Sequence, residues 1–291
     1  MKVSIIIPVR NDQRISECIE ALLCQEYENY EIIVVENDSQ QPLKSIIEKY
    51  PVKYVCDPII GSYHARNTGI GLATNEIIAF TDADCVADKN WLGNLVSGFE
   101  GPEIGGVGGK TINKIEKNKV VQCQRNIQLR DGLGHLSHIF PAPFAPTCNV
   151  AYRLDVLKKL QGFDNDFYSG GDVDMSWRMS LLGYKLNYSR SAIIYFGCRT
   201  TVRDYYRQYY NYGKGHALLF KKYKEFSKKK MVICPYSSNL LAKSLKMMLR
   251  GIFHGERGNY YYHYWLGCVE SFALIAGGIV GSIKNKVVFS S

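Results

Sequence analysis

The chain has 291 residues and a mass of 33.0 kDa, with 46% hydrophobic and 22% charged residues. This excludes wholesale disorder and a polytopic membrane bundle, and leaves room for one large domain or a domain with an appendage. The formal charge is +9, but residues 221–230 (KKYKEFSKKK) hold six Lys and one Glu, so the basicity describes a local patch and not a surface that coats nucleic acid.

The first hundred residues alternate between two periods. MKVSIIIPVRND has an apolar run without a cleavage site and reads as a first strand, not a signal peptide. Residues 3–9 are nearly unbroken apolar, as in a strand covered on both faces. Ile15, Cys18, Ile19, Leu22 and Leu23 then recur at helical spacing. Residues 31–35 return to a strand, Leu43, Ile46, Ile47 and Tyr50 to a helix, and 52–56 to a third strand. A helix over about 62–73 precedes a fourth strand at 77–80. Strand–helix–strand repetition at this pitch implies a parallel sheet with helices on both faces, whose ligands bind beyond the carboxyl ends of the strands. The polar residues fall there: Arg10, Asn11 and Asp12, then Glu36 to Ser39, then Asp82 and Asp84. After residue 100 the pattern loosens, and 111–147 has no clear period. GPEIGGVGGK (101–110) suggests turns and a strand, 149–164 reads as a strand end, a helix and a turn, 170–186 as a turn, a helix and a strand, and helices are expected over 202–222 and 240–283. The nine cysteines form no CxxC pair, which disfavours a zinc ribbon; they read as reduced, mostly buried thiols of a cytosolic protein.

Asp82-Ala83-Asp84 is the sharpest chemical feature. Two carboxylates at i and i+2 on a strand end can turn to one site, and hard divalent cations take such oxygen ligands together with substrate phosphates. The bland alternative is a solvated turn capping a helix at 88–97. Asp172 follows Gly170-Gly171 at a presumed helix start and reads either as a cap or as a general base. Asp174 lies about 200° away around the helix and takes a different job. Glu36-Asn37-Asp38-Ser39 reads as a plain turn or as acceptors for a base or ribose. Arg66, Arg199, Arg203, Arg207 and Lys214 are phosphate-binding candidates or ordinary surface cations. There is no GxSxG, P-loop, GxGxxG or HExxH motif.

In order along roughly residues 2–220, VSIIIPVRND (3–12), EIIVVENDS (31–39), ARNTGI (65–70), IIAFTDADC (77–85), NVAYR (149–153), GFDNDF (162–167) and GGDVDMSWRMSLLGYKL (170–186) resemble the inverting glycosyltransferases of family 2. The resemblance implies an α/β GT-A fold: a Rossmann-like, mostly parallel sheet flanked by helices, here with a C-terminal helical extension. With a boundary that the change of pattern sets near 225, the chain divides into a glycosyltransferase domain at 1–225 (nucleotide-binding half 1–100, acceptor half 101–225) and a C-terminal helical extension at 226–291. The resemblance also implies a nucleotide-sugar donor, with a UDP-sugar expected, and a divalent cation, Mn2+ or Mg2+.

Carried over by position, Pro8, Val9 and Arg10 lie where the family packs the nucleotide. Glu36, normally Asp, takes the place of the acid that reads base or ribose, with Asp38 beside it. Arg66 sits where a basic residue approaches the diphosphate. Asp82, Ala83 and Asp84 match the Asp-x-Asp motif, with Asp84 and Asp82 as metal ligands, and Asp172 aligns with the catalytic base. Gly171 replaces a usual Glu, and Phe196 stands where many relatives carry His. RQYYNYGKG (207–215) resembles a segment of a subset of these enzymes. The QxxRW motif of processive synthases is absent, which favours transfer of one sugar. The expected acceptor is a glycan or lipid-linked hydroxyl in polysaccharide, glycolipid or other glycoconjugate synthesis. The competing reading is a noncatalytic nucleotide-sugar-binding or scaffold protein.

Residues 265–283 carry one charge, Glu270, and read as a spanning, interfacial or soluble core helix. With the aromatics at 260–265 and the Lys block, they suggest peripheral contact at the cytoplasmic face of a plasma membrane. No nucleic-acid partner is expected.

Overall fold

The structure is a computed structural model that describes residues 1–114, 117–124, 132–227 and 259–287, with scattered positions between 242 and 249. The chain forms two compact units: Met1–Asn113 with Gln128–His135 and Ala142–Gly197, and Lys114–Ile127 with Leu136–Pro141 and Cys198–Ser291. The units part at Gly197/Cys198, so the long helix after residue 201, placed in the first domain by the sequence boundary near 225, groups with the second unit.

In the first unit, β1 (Val3–Val9), α1 (Ile15–Leu23), β2 (Tyr30–Asn37), α2 (Lys44–Ile47), β3 (Lys53–Asp57), α3 (Ser62–Leu72) and β4 (Ile77–Phe80) follow the alternation of period 2 and period 3.6. Next come β5 (Cys85–Ala87), α4 (Trp91–Val96) and β6 (Ile104–Asn113). After α5 (Lys119–Cys123) of the second unit, the first resumes with β7 (Gly134–His135), β8 (Pro143–Phe144), β9 (Val150–Arg153), α6 (Leu154–Lys159), α7 (Gly171–Leu181) and β10 (Lys185–Phe196). Eight strands form one sheet in the order β3-β2-β1-β4-β9-β6-β10-β5. Ladders β3–β2, β2–β1, β1–β4 and β6–β10 are parallel. β9 lies antiparallel between β4 and β6, and β5 antiparallel to β10. The sheet is therefore mostly parallel, and its antiparallel strands come from the stretches with the weakest local pattern.

The strand order reverses at β1, with β2 on one side and β4 on the other, which is the switch point where such sheets open a crevice. Pro8 widens it. The β1–β4 ladder stops at Ile6↔Phe80, while β1 stays paired with β2 through Val9↔Glu36. Pro8 lies two residues beyond Ile6 and so turns its missing N–H toward the β4 side, where no ladder bond is left to make. The core beneath is fully buried Ile5, Ile6, Ile7, Ile33, Phe80, Trp91, Tyr152 and Trp177.

The second unit is helical in its described residues, with α8 (Val202–Tyr223) and α9 (Asn259–Asn285) beside α5. Thr201 caps α8, accepting from Asp204 N–H and donating to its carboxylate. Contacts advance together along α8 and α9, from Tyr205 with Glu270 through Tyr210 with Gly277 to Ala217 with Gly281, so the two helices run parallel. Glu270 is fully buried and accepts the Tyr205 hydroxyl at 2.7 Å. The single acid of this apolar helix thus faces α8, while Phe272, Ile279, Val280 and Ile283 are exposed. Within α9, Tyr261–Asn285 is long and apolar enough to cross a membrane, although more than half of its most apolar stretch is buried inside the fold. Most of the helix expected over 240–258, and Lys228 to Lys230, lie outside the described residues.

Among the described residues every cysteine is a free thiol; Cys18, Cys85, Cys123, Cys148 and Cys198 are buried, as expected for most of them, while Cys24 and Cys56 are exposed.

Candidate active site

The loops after β1, β2 and β3 are tied to one another at the carboxyl edge. Arg10 donates Nε–H to the Asp38 carbonyl at 3.1 Å and lies 3.5 Å from the Asp38 carboxylate. Asn11 and Asp38 adopt left-handed backbone, which amide and carboxylate residues tolerate better than most. Asn11 N–H donates to Ser39 Oγ, and Asn11 Oδ1 accepts from Gln40 N–H. Asn37 holds the next loop, donating to the Ile59 carbonyl and accepting Gly61 N–H. Arg10 and Asp38 are exposed at this edge, Pro8 is half-buried and Val9 is buried beneath.

Glu36 is placed differently from its expected role. It is 2% exposed, and its two oxygens accept Leu43 N–H at 2.9 Å and the Tyr54 hydroxyl at 2.5 Å. It fixes the loop into α2 from beneath. Burial and the Glu36 carboxylate push the Tyr54 hydroxyl pKa far up, which keeps it a donor.

Arg66 is also buried, with its side chain 4% exposed, and its Nη2 lies 2.5 Å from Asp82 Oδ1. Its guanidinium rests over the Tyr63 ring, 5.4 Å from the centroid. Its Nε–H has no hydrogen-bond partner, an orphaned buried donor beside the acidic turn. Arg66 thus braces Asp82 from below.

Asp82, Ala83 and Asp84 form the turn between β4 and β5. The Asp82 side chain is about one-third exposed, while Ala83 and Asp84 are buried. Asp84 Oδ2 lies 3.4 Å from Arg14 Nη2, and its carbonyl accepts Gly197 N–H. Among the described residues no group of three His, Cys, Asp or Glu side chains is gathered as a metal cage. The donors present, two carboxylates on one turn, fit a hard cation that completes its shell with phosphate and water. Phe196 is buried and paired with Cys85, so it adds no ligand. Burial, then the neighbouring Cys148, push the Cys85 thiol well up and keep it neutral beside Asp84.

Asp172 stands half-buried in the first turn of α7. Its Oδ1 accepts Val173 N–H at 3.0 Å and lies 3.4 Å from the Tyr63 hydroxyl. Burial, then the Asp172 charge, hold the Tyr63 pKa well above its usual value. A Cβ at Gly171 would begin 2.8 Å from the Tyr63 ring, so glycine is required there by the ring itself. Asp174 points elsewhere, as its helical phase predicts: it is fully buried and paired with Arg178 at 2.7 Å. Asn67 and Phe163 exchange two hydrogen bonds, and Phe163 stacks on Tyr63, which pins the 162–167 loop to α3. Asp172, Tyr63, Arg66 and Asp82 therefore form one run of contacts. Tyr63 and Arg14, in contact with Asp172 and Asp84, are residues that the sequence reading did not single out. Arg199, Arg203, Arg207 and Lys214 belong to the second unit.

A mostly parallel sheet of this order, with an acidic turn at its switch point, defines a glycosyltransferase of the GT-A fold. The family model described as glycosyl transferase family 2 matches residues 4–161, and the chain belongs to that family. Glycosyltransferase AglE of Haloferax volcanii is 32% identical over 229 residues, covering 73% of this chain and 72% of that protein. A Methanococcus voltae protein, dolichyl N-acetyl-alpha-D-glucosaminyl phosphate 3-beta-D-2,3-diacetamido-2,3-dideoxy-beta-D-glucuronosyltransferase, is 26% identical over 239 residues, covering 76% and 74%. The solved mannosyltransferase PcManGT from Pyrobaculum calidifontis, in complex with GDP-Man and Mn2+, shares the fold at a TM-score of 0.68 and 19% identity, covering 96% of this chain and 86% of that one.

Proposed function

We propose that this glycosyltransferase moves one sugar from a nucleotide-sugar to an acceptor hydroxyl with inversion, using a divalent cation, in the synthesis of a glycoconjugate. The observation that carries this reading is the run from Asp172 through Tyr63 and Arg66 to Asp82, which links a candidate proton acceptor to the acidic turn. When bound by Asp84 and Asp82, Mn2+ or Mg2+ supplies electrostatic neutralisation of the diphosphate leaving group. Arg10 and Asp38, exposed on the zipped loops, present a cation and an acceptor to the nucleoside; the buried Glu36 supports the loop that carries them. Asp172 takes the acceptor proton as its oxygen attacks the face opposite the leaving group. A single carboxylate suffices, in contrast with the paired acids of glycosidases. Gly171 gives no reason to prefer a noncatalytic scaffold, because Tyr63 occupies the space beside it and lends Asp172 a hydroxyl.

The acceptor class is a lipid-linked glycan or lipid phosphate at a membrane surface. The M. voltae relative is named for a dolichyl N-acetyl-alpha-D-glucosaminyl phosphate. In this chain the exposed apolar face of α9 and the exposed Lys221, Lys222, Lys224, Lys284 and Lys286 at the shared end of the parallel α8 and α9 suit an anionic bilayer surface.

The test begins with a screen of UDP-, GDP- and dTDP-sugars for Mn2+-dependent thermal stabilisation. With the donor so found, Asp172→Asn is expected to bind it with near wild-type affinity and to abolish transfer. Transfer at the wild-type rate would refute the base assignment.

A further inference from the structure

Arg14 lies just before α1, on the loop after β1. Its guanidinium makes a fork onto Asp12, with Nε–H to Oδ1 at 2.9 Å and Nη2–H to Oδ2 at 2.6 Å. The same Nη2 reaches Asp84 Oδ2 at 3.4 Å. A Cβ at Gly197 would stand 2.7 Å from Arg14 Nη1 and 3.1 Å from the Asp84 carbonyl oxygen, so the guanidinium, whose side chain is 44% exposed, lies against the Gly197 backbone beside the buried Asp84. Three loops, after β1, β4 and β10, thus converge to put one positive charge on the more deeply buried acid of the turn.

From this geometry, and resting on the metal site proposed above, we infer that Arg14 is the resident counter-cation of Asp84. It neutralises the carboxylate in the donor-free protein and makes cation binding depend on the arrival of a diphosphate. The two contacts are unequal. The fork to Asp12 is short and bidentate, the strong geometry for an arginine–carboxylate pair; the reach to Asp84 is long and single. Arg14 can therefore leave Asp84 while Asp12 keeps hold of it. A divalent cation arriving alone at the buried Asp84 meets a like charge and binds weakly. A diphosphate arriving with the cation offers the displaced guanidinium anionic oxygens, and the repulsion becomes an attraction. Arg14 acts in this way as a positioning residue on the Asp84 carboxylate.

Calorimetric titration of Mn2+ into the full chain, without nucleotide and with saturating UDP or GDP, tests this. Arg14→Gln is expected to bind Mn2+ alone about three- to fivefold more tightly than wild type, and to lose most of the gain in Mn2+ affinity that the nucleotide confers. Arg14→Lys keeps the charge and is expected to stay within about twofold of wild type. Equal or weaker Mn2+ binding by Arg14→Gln, or identical behaviour of Gln and Lys variants, overturns the inference. Asp84→Ala separates it from the reading on which it rests: if that variant loses Mn2+ binding while Arg14→Gln is unchanged, only the role of Arg14 falls. If Asp84→Ala binds Mn2+ like wild type, or no form binds it, the metal site itself falls and Arg14 with it.

Discussion

The Tyr63 hydroxyl lies 3.4 Å from Asp172 Oδ1 across 109 residues of sequence. Burial and the Asp172 charge keep that hydroxyl protonated, so it stands as a neutral donor to the carboxylate. A hydrogen bond to the ionised form favours that form. Tyr63→Phe is therefore expected to move the acid limb of the pH–rate profile to higher pH and to lower transfer by about three- to tenfold at neutral pH. An unmoved acid limb would show that Tyr63 contributes packing alone.

Arg66 and Asp82 are coupled in stability as well as in position. Removing one member of a buried pair leaves an uncompensated charge. Asp82 is about one-third exposed, which lets water recover part of the loss. Arg66→Met is expected to cost about 2–3 kcal/mol in urea unfolding, and Arg66→Lys to restore only part of it, because ammonium lacks the planar fork. A loss below about 0.5 kcal/mol, the size of an exposed pair, would place Arg66 outside the bracing role.

Asp57, at the end of β3, gives a pH dependence. Burial raises its pKa, but Thr68 Oγ1 at 2.6 Å, Ile59 N–H at 2.9 Å and His64 Nδ1 at 2.7 Å outweigh it, and the net value lies below the usual 3.8. A folded-state value below the unfolded one means stability that is fully present above the unfolded value and lost as pH falls through the folded one. The stability gap between wild type and Asp57→Asn, measured by urea unfolding, is expected to be constant near neutral pH and to close below about pH 4. A gap that widens on acidification would reverse the assignment.

Gly277 sets the approach of α9 to α8. A Cβ there would collide with the Tyr210 carbonyl oxygen, a backbone atom that cannot rotate away. Gly277→Ala is expected to destabilise the second unit by about 1–3 kcal/mol, despite alanine's better helix propensity. A variant that melts above wild type by circular dichroism would contradict the close packing.

Local pattern carried much of the first unit. The unbroken apolar runs of β1 and β2 and the helical spacing of Ile15 to Leu22 are written within a few residues, because backbone period and burial act at that range. The acids were legible for the same reason: Asp82, Asp84 and Asp172 stand at strand or helix ends. β9 reads as a strand end at Val150–Arg153, but its antiparallel place between β4 and β6 is set by pairing across the sheet and not by its own four residues.

Sequence by itself determined which residues meet the crevice edge, since strand direction and side-chain periodicity follow from the order of residue types. Tertiary structure decided what each of them does there. Glu36 looked outward by position and is turned inward by Tyr54 and Leu43; Arg66 looked like a phosphate ligand and is held on Asp82; Arg14 carried no pattern and lies against Asp84. A charge takes its role from the groups that compensate it: Arg66 finds Asp82 16 residues away, and Arg14, forked onto the neighbouring Asp12, also reaches Asp84 70 residues away, beyond any local period.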